Sequence, residues 1–136
     1  MGASSELLSH TAEVKLRVRA PSLGELAAEA GRALGKLQLG ATPPLASGPW
    51  RDLEIRAPDR EALLVEWLNE LIFLAETERW VGVEFQVRDA DNVMLSMRGR
   101  GMVVDDPPSR VKAATFHGLK ITVTPAGLEA DVVFDV

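Results

Sequence analysis

From Val81 to Val136 the sequence alternates apolar and polar side chains in run after run, with no helical stripe between them. Val81, Val83, Phe85 and Val87 form one such run, and Val93, Leu95 and Met97 a second. Ile121 and Val123 belong to a third, and Leu128, Ala130, Val132, Phe134 and Val136 to a fourth. A period of two puts every other side chain on one face of a strand, so each run is a half-buried strand. Turn chemistry separates them: Asp89-Ala90-Asp91-Asn92 as a hairpin connection, Asp105 to Ser109 as a loop, and Pro125-Ala126-Gly127 as a turn. Gly99 and Gly101 point to a bulge or a close backbone approach.

The first half reads differently. Val14, Leu16 and Val18 alternate with Glu13, Lys15, Arg17 and Arg19, a strand whose outer face is cationic. Ser22 followed by Glu25 is a capping box. Behind it Leu23, Leu26, Ala27, Ala30, Leu34 and Leu37 follow helical spacing, with Gly40 as the stop. Residues 41–49 hold three prolines and read as loop, and Arg51 to Ala57 alternates again. Asp59 caps a second helix whose broad apolar face is Leu63, Leu64, Trp67, Leu68, Leu71, Ile72 and Leu74. Strand, helix, strand, helix and then strands alone predict an α+β fold. The expected architecture is a two-layer sandwich, with two helices on one face of a mostly antiparallel sheet. Its length of 136 residues predicts a single domain over 1–136.

Composition closes off several functions. There is no cysteine, which removes disulfides, thiolate metal sites and cysteine nucleophiles together. No apolar run approaches the roughly 20 residues that span a bilayer. Met1 to His10 lacks a basic start followed by an apolar stretch, so no signal peptide is expected and the expected compartment is the cytoplasm. The net charge is −5, so wholesale coating of nucleic acid is not expected, and any such contact is expected to be weak or indirect. No phosphate-binding Gly-rich loop, Gly-x-Ser-x-Gly or His-Glu-x-x-His is present. His10 and His117 read as polar residues beside a turn and in a strand respectively, rather than as catalytic bases.

The carboxylates are more informative. Glu13 opens the first alternating strand, and Asp135 and Val136 end the last one. If those strands are neighbours, Glu13, Asp135 and the α-carboxylate of Val136 bring three hard oxygen donors together, a set suited to Ca²⁺ or Mg²⁺. Arg98, Arg100, Arg110, Lys112 and Lys120, with Lys15, Arg17 and Arg19, are candidates for an anion-attracting surface. Trp67 and Trp80 read as core, and Trp50 as an anchor for a partner or a further core residue.

Four segments in order resemble the archease family: His10-Thr11-Ala12-Glu13-Val14, Leu63 to Leu71 (Leu-Leu-Val-Glu-Trp-Leu-Asn-Glu-Leu), Val111 to Leu119 (Val-Lys-Ala-Ala-Thr-Phe-His-Gly-Leu) and Val132-Val133-Phe134-Asp135-Val136. The resemblance implies an archease-like fold and a non-catalytic accessory protein. That protein would activate an RtcB-type RNA ligase in tRNA splicing and RNA repair, promoting guanylylation of the ligase and its multiple turnover. It also implies a bound divalent metal, typically Ca²⁺, on Glu13, Asp135 and the carboxylate of Val136, with Lys112 as the activating residue and His10 and His117 on the partner surface. One departure is local. The family's first ligand is Asp followed by Val-Gly, and here Glu13-Val14-Lys15 stands instead. Glu is one methylene longer and still binds Ca²⁺ in bidentate fashion. The rival reading is a chaperone or specificity modulator of another RNA-processing enzyme, such as a tRNA methyltransferase. A small metal-dependent hydrolase is disfavoured because no nucleophile and base stand together in the sequence.

Overall fold

The computed structural model describes residues 2–9, 13–40, 48–105 and 110–136. In chain order the elements are β1 (Ser4–Ser9), β2 (Glu13–Ala20), α1 (Leu23–Leu39), β3 (Arg51–Arg56), α2 (Arg60–Glu78), β4 (Trp80–Ala90), β5 (Met94–Val103), β6 (Ala113–Thr115), β7 (Thr122–Thr124) and β8 (Gly127–Asp135). The fold is α+β with two helices and antiparallel strand pairs, as expected.

The helix ends form where capping chemistry puts them. The Ser22 hydroxyl accepts from the Glu25 N–H, and Gly40 closes α1 at φ 72°. The Asp59 carboxylate accepts from the Ala62 N–H at the start of α2. At the other end Arg79 takes the left-handed conformation, at φ 58°.

The strands are divided between two sheets rather than forming one. One has the order β1-β2-β8-β6, with β7 also pairing β8, and the other the order β3-β5-β4. Each helix touches both: α1 packs on β2 and β4, and α2 on β6, β3 and β4. Helices that meet sheets on more than one side must be apolar on more than one stripe. Accordingly α1 buries Ala28, Ala33, Gly31 and Gly35 beyond its expected stripe, and α2 buries Val65 and Ala75. Alternation reveals that a strand has a buried face, not which strand it pairs with.

Trp67 sits at the centre with no exposed surface. Its indole N–H donates to the Ala27 carbonyl at 2.8 Å, and its ring meets Phe85 edge-on at 5.3 Å. Two glycines let α1 approach β4 closely. A methyl group on Gly35 would strike the carbonyl oxygen of Gly82, so helix and strand meet backbone to backbone there.

Candidate functional site

Antiparallel pairing of β2 with β8 fixes the site. Its register runs from Ala20 opposite Leu128 to Glu13 opposite Asp135. Leu16, Val18 and Ala20 are buried, as are Ala130, Val132 and Phe134. The odd-numbered residues therefore share the outer face. Along that face Arg17 lies between Glu6 and Asp131, with its guanidinium donating to Asp131 at 2.9 and 3.2 Å. Arg19 reaches Glu129 at 2.9 Å. The hydrogen bond and charge of Asp131 push the Arg17 pKa above its ordinary value, so this pairing persists at any pH near neutrality. These half-exposed pairs are screened by salt.

Glu13 and Asp135 differ from their neighbours. They stand directly opposite one another on the same face, and neither is in an ion pair among the described residues. Directly opposed like charges on a sheet repel. Lys15, the next residue on that face, pairs in register with Val133 and makes no ion pair among the described residues. The donor set is thus two unneutralised carboxylates made of hard oxygens, which fits a divalent cation. Among the described residues no three His, Asp or Glu side chains are grouped so as to hold a metal ion. A cation here would therefore take its third oxygen from elsewhere, and Val136, 40% exposed, is adjacent to Asp135.

Strand β6 lies on the other side of β8, with Ala113 opposite Asp135. One residue earlier, the Lys112 N–H donates to the Asp135 carbonyl at 2.8 Å. Lys112, itself exposed, also lines a cavity with Ile72 and Ala75 of α2. Lys112 and the two carboxylates thus share one rim of the sheet.

What holds β6 in place was not legible in the sequence. Asn69, which reads as a residue on the polar side of α2, donates to the Ala114 carbonyl at 3.1 Å and accepts its N–H at 2.8 Å. The amide thereby satisfies both open backbone groups of an edge strand, as another strand would. Farther along, Glu61 accepts from the Ile121 N–H and Arg60 donates to its carbonyl.

Other expected residues are dispersed. His117 lies in a turn, not in a strand, because β6 ends at Thr115 and the His117 N–H donates back to the Thr115 hydroxyl. Since β6 runs away from Asp135, His117 does not join the carboxylates. His10 lies outside the described residues. The cations do not form one surface. Arg98 and Arg100 flank the Trp50 ring at 5.3 and 5.2 Å on the β3-β5-β4 sheet, Arg110 and Lys112 line the cavity, and Lys120 lies with Arg17, Glu129 and Asp131. Trp50 is thus half-buried between guanidinium groups, neither core nor free anchor. No helix is long and apolar enough to cross a membrane among the described residues.

Comparison with known proteins bears on this geometry. The profile of the Archease protein family matches residues 6–136. Protein archease of Methanosarcina barkeri is 30% identical, over 99% of this chain and 97% of the relative. Protein archease of Archaeoglobus fulgidus is 32% identical, over 95% of this chain and 96% of the relative. The solution structure of protein 1598 from Methanobacterium thermoautotrophicum is similar at a TM-score of 0.78 and 27% identity, covering 97% of this chain and 98% of that one. A crystal structure from Thermotoga maritima, described as an archease and possible chaperone, shares the fold at a TM-score of 0.65 and 20% identity, with 96% of both chains covered.

Proposed function

The chain belongs to the archease family, and from that membership we propose that it is a non-catalytic accessory protein that activates an RtcB-type RNA ligase. The observation that carries this reading is the rim where Glu13 and Asp135 oppose each other while Lys112 is tied to Asp135 by main chain. Glu13, Asp135 and the α-carboxylate of Val136 would hold a hard divalent cation, Ca²⁺ by the family resemblance. When bound, the cation offsets the repulsion of the carboxylates and offers a coordination position to an oxygen of the partner.

The chain's own residues do the rest. Strands β2 and β6 brace β8 on both sides, which fixes the Asp135 backbone at the rim. Asn69 anchors β6 to α2 and so positions Lys112. The Lys112 ammonium, exposed and without an ion pair among the described residues, presents a positive charge to the phosphate oxygens of a nucleotidyl-transfer site.

The test is self-guanylylation of a cognate ligase with and without this protein at equal molar amounts. Stimulation supports the reading, and its absence contradicts it. A second reading, a chaperone or specificity modulator of another RNA-processing enzyme such as a tRNA methyltransferase, is favoured by the description of the Thermotoga maritima neighbour as a possible chaperone. Recovery of a methyltransferase without a ligase from cell extract would select it.

A further inference from the structure

The cavity beside Lys112 has a volume of about 330 Å³, within the roughly 300–1,000 Å³ typical of small-molecule sites. Its walls are of three kinds. Ile72, Ala75, Val81 and Val111 are apolar and buried. Arg79, Arg110 and Lys112 are cations at the mouth, opposed there by one carboxylate, Glu76. Arg79 donates to the Asp105 carbonyl, and none of the three cations is in an ion pair among the described residues.

The third kind is Gln38. It is the one buried polar side chain among the described residues, at 4% exposure, and it lines this cavity. Its amide makes no hydrogen bond with another described residue. The only side-chain polar atom both sealed from solvent and unpartnered among those residues is Arg100 Nε. Gln38 is thus the polar member of an otherwise apolar inner lining. An amide carries a donor and an acceptor side by side, which match the edge of a planar heterocycle.

We propose that this cavity binds a nucleoside monophosphate. The base lies between the apolar walls with its edge on the Gln38 amide, and the phosphate meets Arg79, Arg110 and Lys112 at the mouth. An apolar slot with one amide and a net positive mouth suits a ligand with a flat polar-edged body and an anionic end. Inorganic phosphate would leave the apolar walls and the amide unused. The inference shares Lys112 with the ligase reading, but its test needs no ligase, because it concerns binding to this chain alone.

The test is calorimetric titration of the full chain with AMP, GMP, adenosine and inorganic phosphate, with amide chemical shifts recorded alongside. The expected result is one site for AMP or GMP, with adenosine and phosphate weaker by about tenfold or more, the effect of losing a hydrogen bond to a charged group. Shifts should centre on Gln38, Val81 and Val111. Gln38→Met should weaken the nucleotide by a similar factor without lowering the melting temperature, since the side chain keeps its length and the amide makes no hydrogen bond with another described residue. Arg110→Ala, at an exposed position, supplies a second variant with the same expected loss. Phosphate binding as well as the nucleotides would mean an adventitious anion only. Equal binding of adenosine, no nucleotide binding, unaltered binding by both variants, or shifts centred on Trp50 would each overturn the proposal.

Discussion

The backbone N–H of Lys112 donates to the carbonyl of Asp135, and Lys112 also lines the cavity beside α2. Main chain therefore couples the two residues, and no ion pair joins their side chains among the described residues. Lys112→Ala keeps the N–H and removes only the ammonium. It should leave Ca²⁺ affinity within about twofold while ligase stimulation falls by about tenfold or more, the scale of one lost charge-assisted contact. Guanylylation assayed beside calcium titration separates these effects. Equal loss of both would mean that Lys112 acts through the carboxylates.

Asn69→Ala should uncover the edge of β6. The Ala114 N–H and carbonyl lose their shared partner, at a cost of about 1–3 kcal/mol if they stay shielded from water. Urea unfolding should record that loss, and stimulation should fall because Lys112 precedes the released strand. An unchanged midpoint would show that water replaces the amide without penalty.

Gly35→Ala tests the contact between α1 and β4. Helix propensity alone favours Ala over Gly by about 1 kcal/mol. Here the new methyl would meet the backbone carbonyl of Gly82, which cannot swing aside as a side chain can. The substitution should therefore destabilise, with a lowered denaturation midpoint. A raised midpoint would mean that helix and strand part easily.

Trp67→Ala removes a fully buried ring and its hydrogen bond to the Ala27 carbonyl. A loss of about 3–5 kcal/mol is expected from the cavity left behind. Chemical denaturation measures it, and a shift near zero would contradict the central place of α2.

Much of this was legible locally. Ser22, Gly40 and Asp59 signal helix boundaries through their own hydrogen-bonding and φ preferences, and the structure uses all three. Alternation located β2, β3, β5 and β8. Strand β1 was not anticipated, because Ser-Ser-Glu-Leu-Leu-Ser has adjacent leucines rather than alternation, as suits an edge strand with Leu7 half exposed. The division into two sheets was hidden as well, since pairing is decided between segments and not within them. Residues 112–124, which read as β-rich, hold two three-residue strands with His117 in the turn between. The opposition of Glu13 and Asp135 was foreseen only conditionally: each lies at a strand end, and the register of β2 on β8 makes them partners. Asn69 escaped notice because its role is set by Ala114, far along the chain.

The central claim is that Glu13 and Asp135 share one cation at the rim. Calorimetric titration of Ca²⁺ into the metal-free protein, Glu13→Gln and Asp135→Asn tests it most directly. One ion per chain is expected for the unaltered protein, with affinity reduced by about tenfold or more in either variant and unfolding midpoints without calcium equal to or above the parent, because a repulsive pair is relieved. Calcium binding by Asp135→Asn as tight as by the parent, or no binding by the parent, would contradict the account.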